Sequence, residues 1–191
     1  CRRLSALIAN VLDFARIEQG RKQYEFEPTD LRALVETTVK LMEPYAAEKG
    51  VRLEWETSNT QSADSSAAGN QQPATSNLEL NVDGRAIQQA LVNLIDTAIK
   101  HSAAGQTVTV NLETRSAERG ARNEASGTFN LQPSTCNLSV SDHGPGIPAS
   151  EHGRIFERFH RLGSELRRET QGVGLGLRIV KHIVEAPGGR V

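Results

Sequence analysis

Residues 83–101 read DGRAIQQALVNLIDTAIKH. Asp83 or Gly84 precedes an apolar-periodic run, a helix start signal, so a helix is predicted to open there and run through Lys100. On helical spacing Asn93, Thr97, Lys100 and His101 stand at i, i+4, i+7 and i+8 and share one face. Leu91, Leu94, Ile95 and Ala98 point roughly a third of a turn away, toward a core. A polar stripe beside an apolar one also describes an ordinary solvated helix edge. Its meaning depends on what surrounds it.

Upstream, a short extended piece at Tyr24–Glu27 leads into Pro28, and Thr29 or Asp30 can cap a second helix carrying Leu31, Leu34, Val35, Val39, Leu41 and Met42. Gly50 ends that helix. The stretches VRLEWET (51–57) and LELNV (78–82) alternate as strands do, and so do TVTVNLE (107–113) and CNLSVSD (136–142) downstream. A last helix is predicted over Leu175–Ala186. Residues 58–77 and 114–134 are polar, with little to bury, and read as loop insertions, the first of them mobile. Helices alternating with antiparallel-looking strand pairs define an α+β class, a two-layer sandwich of sheet on helices.

At the N-terminus Leu4, Leu7, Ile8, Val11, Leu12, Phe14 and Ala15 make a helical stripe suited to a coiled-coil or bundle seam, with Gly20 where the helix would stop. The chain opens on Cys1, inside that stripe, and is expected to continue upstream. Across 191 residues, 22 basic side chains against 23 acidic give a net charge of −1, which is no electrostatic footprint for nucleic acid or an anionic membrane. Cys1 and Cys136 are too few for a disulfide framework and suit a reducing, cytoplasmic setting. No apolar run approaches the roughly 20 residues of a membrane span.

Two glycine clusters bring chemistry into view. The strand at 136–142 ends on Asp142 and turns through His143, Gly144, Pro145 and Gly146, where glycine lets backbone approach a ligand and a carboxylate can accept from an exocyclic amine. Gly172, Gly174 and Gly176 lead directly into the last helix, whose bare backbone N–H groups suit phosphate. A dinucleotide-binding turn is disfavoured, because the preceding ELRRETQ (165–171) is charged and irregular rather than a strand.

Taken in order, these segments resemble the catalytic domain of sensor histidine kinases, within the ATPase superfamily shared with gyrase, Hsp90 and MutL. NLIDTAIKH (93–101) resembles the family's asparagine box and DHGPGIP (142–148) its first glycine box. IFERFHR (155–161) resembles its phenylalanine box, and GVGLGL (172–177) its second glycine box. Residues 1–20 resemble the second helix of the dimerisation and phosphotransfer four-helix bundle, and 27–191 the catalytic domain, with an ATP lid at 143–171.

The resemblance implies that ATP and Mg²⁺ are the cofactors. Asp142 would take the adenine amine, with Gly144 and Gly146 passing close to the base. Asn93, Lys100 and His101 would face the phosphates, and Gly172, Gly174, Leu175 and Gly176 would cradle them. Arg161, or less plausibly Arg158, would be the lid cation, and Phe156 and Phe159 would anchor the lid. Asn93, Lys100 and Arg161 would form the catalytic set, and the metal positions would be Asn93 and Thr97. Implied partners are a second copy through the N-terminal helix and a response regulator receiver domain, with neither nucleic acid nor direct membrane contact.

Thr97 departs from this pattern, because the family carries there a second Asn that is its main protein ligand to Mg²⁺. A threonine hydroxyl has a shorter reach than a carboxamide oxygen, so weak or absent catalysis with retained nucleotide binding is the alternative reading. The phosphoacceptor histidine is expected before Cys1, and further strands of the sheet are expected after Val191.

Overall fold

The computed structural model describes residues 11–12, 14–60, 79–115, 135–161 and 174–191. Residues 14–18 are helical and lead through an extended linker into strand β1 (Glu27–Asp30) and helix α1 (Leu31–Glu48). Strands β2 (Arg52–Thr60) and β3 (Glu79–Val82) precede helix α2 (Gly84–His101). Strands β4 (Thr107–Arg115) and β5 (Thr135–Ser141), a 3-10 turn (Ala149–Glu151) and helix α3 (Gly176–Glu185) complete the order.

Both long helices start on an aspartate. Asp30 Oδ1 accepts from Ala33 N at 3.1 Å, and Asp83 Oδ1 accepts from Ala86 N at 2.9 Å. Each side chain thereby satisfies one of the donors that a first helical turn leaves unpaired. Asp83 Oδ2 also takes Glu25 N at 3.2 Å, which ties the linker to the start of α2. At the far end of α1, Gly50 has a φ of +70°, the left-handed conformation that lets the chain leave a helix sharply.

The strands form two small sheets. β1 pairs with β3 antiparallel, and β4 lies between β2 and β5 in a three-stranded sheet. The expectation of antiparallel pairs needs correcting, since β2 runs parallel to β4 from Arg52↔Thr107 to Thr60↔Arg115. The reason lies in the connection: β3 and α2 intervene, long enough for the chain to return in the same direction. β4 and β5 are antiparallel, from Thr109↔Ser141 to Arg115↔Thr135. Strand ends also differ from expectation. The Tyr24–Glu27 strand lies later, at Glu27–Asp30, and β2 and β4 extend to Thr60 and Arg115, into stretches read as loops. The remainder of those stretches lies outside the described residues, as do residues 1–10 of the N-terminal stripe.

Helices α1 and α2 lie on one face of the larger sheet and bury a core of Val35, Val39, Met42, Leu91, Ile95, Ile99, Val108 and Val110. A second cluster joins Ala86 and Ala90 of α2 to Leu175, Ile179, Val180 and Ile183 around α3, with Phe14 and Ile17 packed against it. This is the two-layer α+β sandwich of sheet on helices. Leu41, one of the apolar residues that mark this helix in the sequence, is 63% exposed, whereas Thr38 is fully buried and satisfies its hydroxyl on Leu34 O at 2.7 Å.

Replacing Asp83 by Ala removes both the cap and the linker tie, and is expected to cost about 1–2 kcal/mol, read as a lower denaturant midpoint with unchanged slope. Burial raises the Cys136 thiol from 9.0 to about 11, so Cys136 is expected to resist alkylation in the native protein at neutral pH and to react once unfolded, read by peptide mapping of that site.

Candidate functional site

Helix α2 forms the floor of the site, and two glycine segments close on it, one at its middle and one at its C-terminal end. At the middle Asn93 is 8% exposed, and its Nδ2 has no hydrogen-bond partner among the described residues. Gly176, the first residue of α3, packs beside it, since a Cβ built there would stand 3.8 Å from Asn93 Cβ, Cγ and Oδ1. The residue before α3, Leu175, makes no side-chain cap. The first amides of α3 therefore stand without a side-chain cap close to a buried carboxamide.

At the C-terminal end of α2, Gly144 lies against the His101 backbone. A Cβ on Gly144 would fall 2.6 Å from His101 O and 2.8 Å from Asp142 Oδ1, closer than any side chain tolerates. Gly144 N donates to Asp142 Oδ1 at 2.7 Å, which fixes the carboxylate over the turn. The turn is also held from below, by Gln106 Nε2 donating to His143 O at 3.0 Å and by His143 Nδ1 facing Thr107 O at 3.0 Å. Asp142 is exposed rather than buried at its strand end. Asn93 and His101 are eight positions apart, so about 12 Å of helix separates the two glycine segments.

Between these two points the polar face carries Thr97 and Lys100. The Thr97 hydroxyl donates to Asn93 O at 2.7 Å, folding back onto its own helix. Lys100 Nζ meets Asp96 Oδ2 at 2.5 Å.

The phenylalanine segment sits over α3 and the N-terminal helix. Phe159 N donates to Gly174 O at 3.1 Å, and a Cβ on Gly174 would collide with His160 O at 2.8 Å. Phe159 holds a φ of 58°, a costly value for a bulky residue, and its ring meets Phe14 edge-on at 6.0 Å. Phe156 lies under Lys181 Nζ, 5.6 Å from its ring centre. Arg158 is turned away from the polar face of α2: its Nη2 pairs with Glu18 Oε2 at 2.7 Å, and its guanidinium lies over Phe14. Glu18 also stands 4.0 Å from Arg178 Nη2. His160 Nε2 meets Glu151 Oε2 at 2.7 Å, joining the end of the segment to the 3-10 turn.

The structure thus brings together Asn93, Thr97, Lys100 and Gly176 on one side, and His101, Asp142 and Gly144 on the other. Gly146 holds a φ of +73° with no atom near its missing side chain, so there the conformation, not contact, calls for glycine. Arg161 is exposed at the edge of the described segment, and Gly172 lies outside the described residues. Two recesses, of about 570 Å³ beside Tyr24, Asp83 and Arg85 and about 480 Å³ beside Cys136 and Gly189, contain none of the predicted site residues. Sequence reading missed Asp96, although its i,i+4 spacing to Lys100 was visible. It also missed the Phe14 and Glu18 contacts, which no local pattern announces.

Residues 82–191 match the family of histidine kinase-, DNA gyrase B- and HSP90-like ATPases, and the chain belongs to that family. It is 36% identical over 189 residues to the sensor histidine kinase AruS of Pseudomonas aeruginosa, covering 98% of this chain and 16% of that protein. The chain thus spans about one sixth of that relative's length. Among solved structures it is similar to full-length ShkA in complex with AMPPNP, with a TM-score of 0.64 and 26% identity over 97% of this chain and 31% of that one. It also shares its fold with histidine kinase ThkA, solved with the response regulator protein TrrA, at a TM-score of 0.62 and 21% identity, covering 98% of this chain and 42% of that one.

Gly144→Ala and Gly174→Ala are each expected to lower the thermal midpoint, because a Cβ meets backbone that cannot yield. Gly153→Ala, with open space around it, is the matched control and is expected to leave the midpoint within about 0.5 kcal/mol of the parent.

Proposed function

We propose that this chain is the ATP-binding catalytic part of a protein-histidine kinase in a two-component system, passing the terminal phosphoryl group to a histidine outside these 191 residues. The observation that carries this reading is Asn93, a buried carboxamide with an unpartnered Nδ2 beside the start of α3. Leaving such a group unpaired costs about 1–3 kcal/mol, a cost that a polar ligand would relieve. A nucleotide suits the surroundings, since glycines hold backbone close beside Asn93 and at the C-terminal end of α2, and the amides at the start of α3 favour an anion.

In this reading Asp142 accepts from the adenine amine, its carboxylate oriented by Gly144 N, and Gly144 and Gly146 flank the base. Asn93, Lys100 and His101 serve the phosphate side with Gly172, Gly174, Leu175 and Gly176, and Arg161 is the lid cation; Arg158 is already committed to Glu18. Asn93 and Thr97 are the positions at which Mg²⁺ would be met. Bound with the nucleotide, Mg²⁺ supplies charge neutralisation for phosphoryl transfer. A second copy of the chain through the N-terminal helix, a receiver domain as acceptor and a cytoplasmic setting complete the proposal. No helix among the described residues is long and apolar enough to cross a membrane.

Calorimetry with AMPPNP tests the reading. Asn93→Ala is expected to weaken binding at least about tenfold, or 1.4 kcal/mol, without lowering the thermal midpoint, because it deletes an unsatisfied amide. Unchanged affinity in a folded variant would remove Asn93 from the site.

A second reading, nucleotide binding with little catalysis, is favoured by the Thr97 hydroxyl folding back onto Asn93 O. Thr97→Asn, placed in a chimera that joins this chain to the acceptor helix of a kinase relative, is then expected to raise autophosphorylation. An unchanged rate contradicts that second reading and leaves the first in place.

A further inference from the structure

Thr97 leaves the phosphate end of α2 short of a forward-reaching oxygen, and the residue before it carries one. Asp96 pairs with Lys100 along α2, and the two side chains are 32% and 29% exposed. On helical spacing Asp96 lies about 60° around α2 from Asn93, on the same side as Lys100. Half-buried i,i+4 pairs of this kind contribute modestly to helix stability, so their placement matters more than their strength.

The placement has an electrostatic consequence. Lys100 is the cation that α2 offers to phosphate, yet its ammonium is held by a carboxylate. A polyphosphate brought to this face meets Asp96 as a like charge, a repulsion relieved only by a cation between the two. Mg²⁺ is commonly held by one or two carboxylates together with substrate phosphates, retaining several waters. Among the described residues no three His, Cys, Asp or Glu side chains converge to hold a metal unaided, so a cation here would be shared between a single carboxylate and the nucleotide. The unpartnered, nine-tenths-buried Asn93 amide one turn away marks the same face as a ligand surface.

We propose that Asp96 is the metal-side ligand of this site, exchanging Lys100 for a divalent cation as nucleotide binds and so releasing Lys100 to the phosphates. The proposal rests on the nucleotide reading above and replaces the missing Asn by its neighbour. It leaves Thr97 as a spacer whose hydroxyl stays on Asn93 O.

The test is calorimetric titration of AMPPNP into the chain, with and without Mg²⁺, for the parent, Asp96→Asn and Asp96→Ala, each checked for folding by thermal unfolding. The parent is expected to gain about tenfold in affinity from Mg²⁺, within the usual range for two coupled ligands. Asp96→Ala is expected to bind metal-free AMPPNP at least as tightly as the parent and to lose most of the Mg²⁺ gain, whereas Asp96→Asn, whose carboxamide oxygen can still meet a hard cation, is expected to keep part of it. In the parent, Mn²⁺ with AMPPNP is expected to enhance water proton relaxation, and the enhancement is expected to fall in both variants. A folded Asp96→Ala variant that keeps the parent's Mg²⁺ gain overturns the role of Asp96 and leaves the nucleotide reading intact, as does a parent that binds AMPPNP but gains nothing from metal. A folded parent that binds no AMPPNP under any condition overturns both.

Discussion

Leu91, Ile95 and Ile99 are withdrawn from water against α1 and the three-stranded sheet, while Ala86 and Ala90 of the same helix meet Ile179, Val180 and Ile183 of α3. Burying three large aliphatic side chains is worth about 5–9 kcal/mol, whereas a fully exposed ion pair such as Lys40 with Glu36 contributes little. Packing, then, decides where α2 lies. Once it is fixed between two cores, its remaining stripe has nowhere to go but the gap between the glycine segments. The same packing withdraws Asn93 from solvent without giving its Nδ2 a partner among the described residues.

The close approaches of glycine follow from that placement. Gly144 can lie on the His101 carbonyl because β5 delivers Asp142 beside the end of α2, and the bond from Gly144 N to Asp142 Oδ1 locks the turn that results. Gly174 plays the corresponding part ahead of α3, where the phenylalanine segment crosses the chain. That segment is anchored outward as well: Phe14, Glu18, Arg158 and Phe159 join the N-terminal helix to it through ring contacts and an ion pair.

Much of this could be read in the sequence, for identifiable reasons. Helix starts at Asp30 and Asp83 were legible because an Asp cap is a local signal, and the buried stripe of α2 because periodicity is local too. The glycine clusters were legible because few residues but glycine suit those turns. Strand partnership was not, since alternation says that a strand has a buried face but not which neighbour it pairs with; hence the parallel β2 and β4 pair was unexpected. Pro28 was read as a break before the first helix, yet it sits within β1, whose β3 partner lies on one side only, a position that tolerates a missing N–H. The commitment of Arg158 to Glu18, more than a hundred residues away in the chain, depends on tertiary placement alone.

The central claim is that the C-terminal half of α2, with a glycine segment at Asn93 and another at His101, forms one nucleotide site. A crystal structure of the chain grown with AMPPNP and Mg²⁺ tests this most directly. The account predicts the base against Asp142 and Gly144, and the phosphates between Asn93 and the first turn of α3, with the Asn93 amide newly hydrogen-bonded. Nucleotide found instead in the recess beside Tyr24 and Arg85, with Asn93 Nδ2 still unpaired, would contradict it.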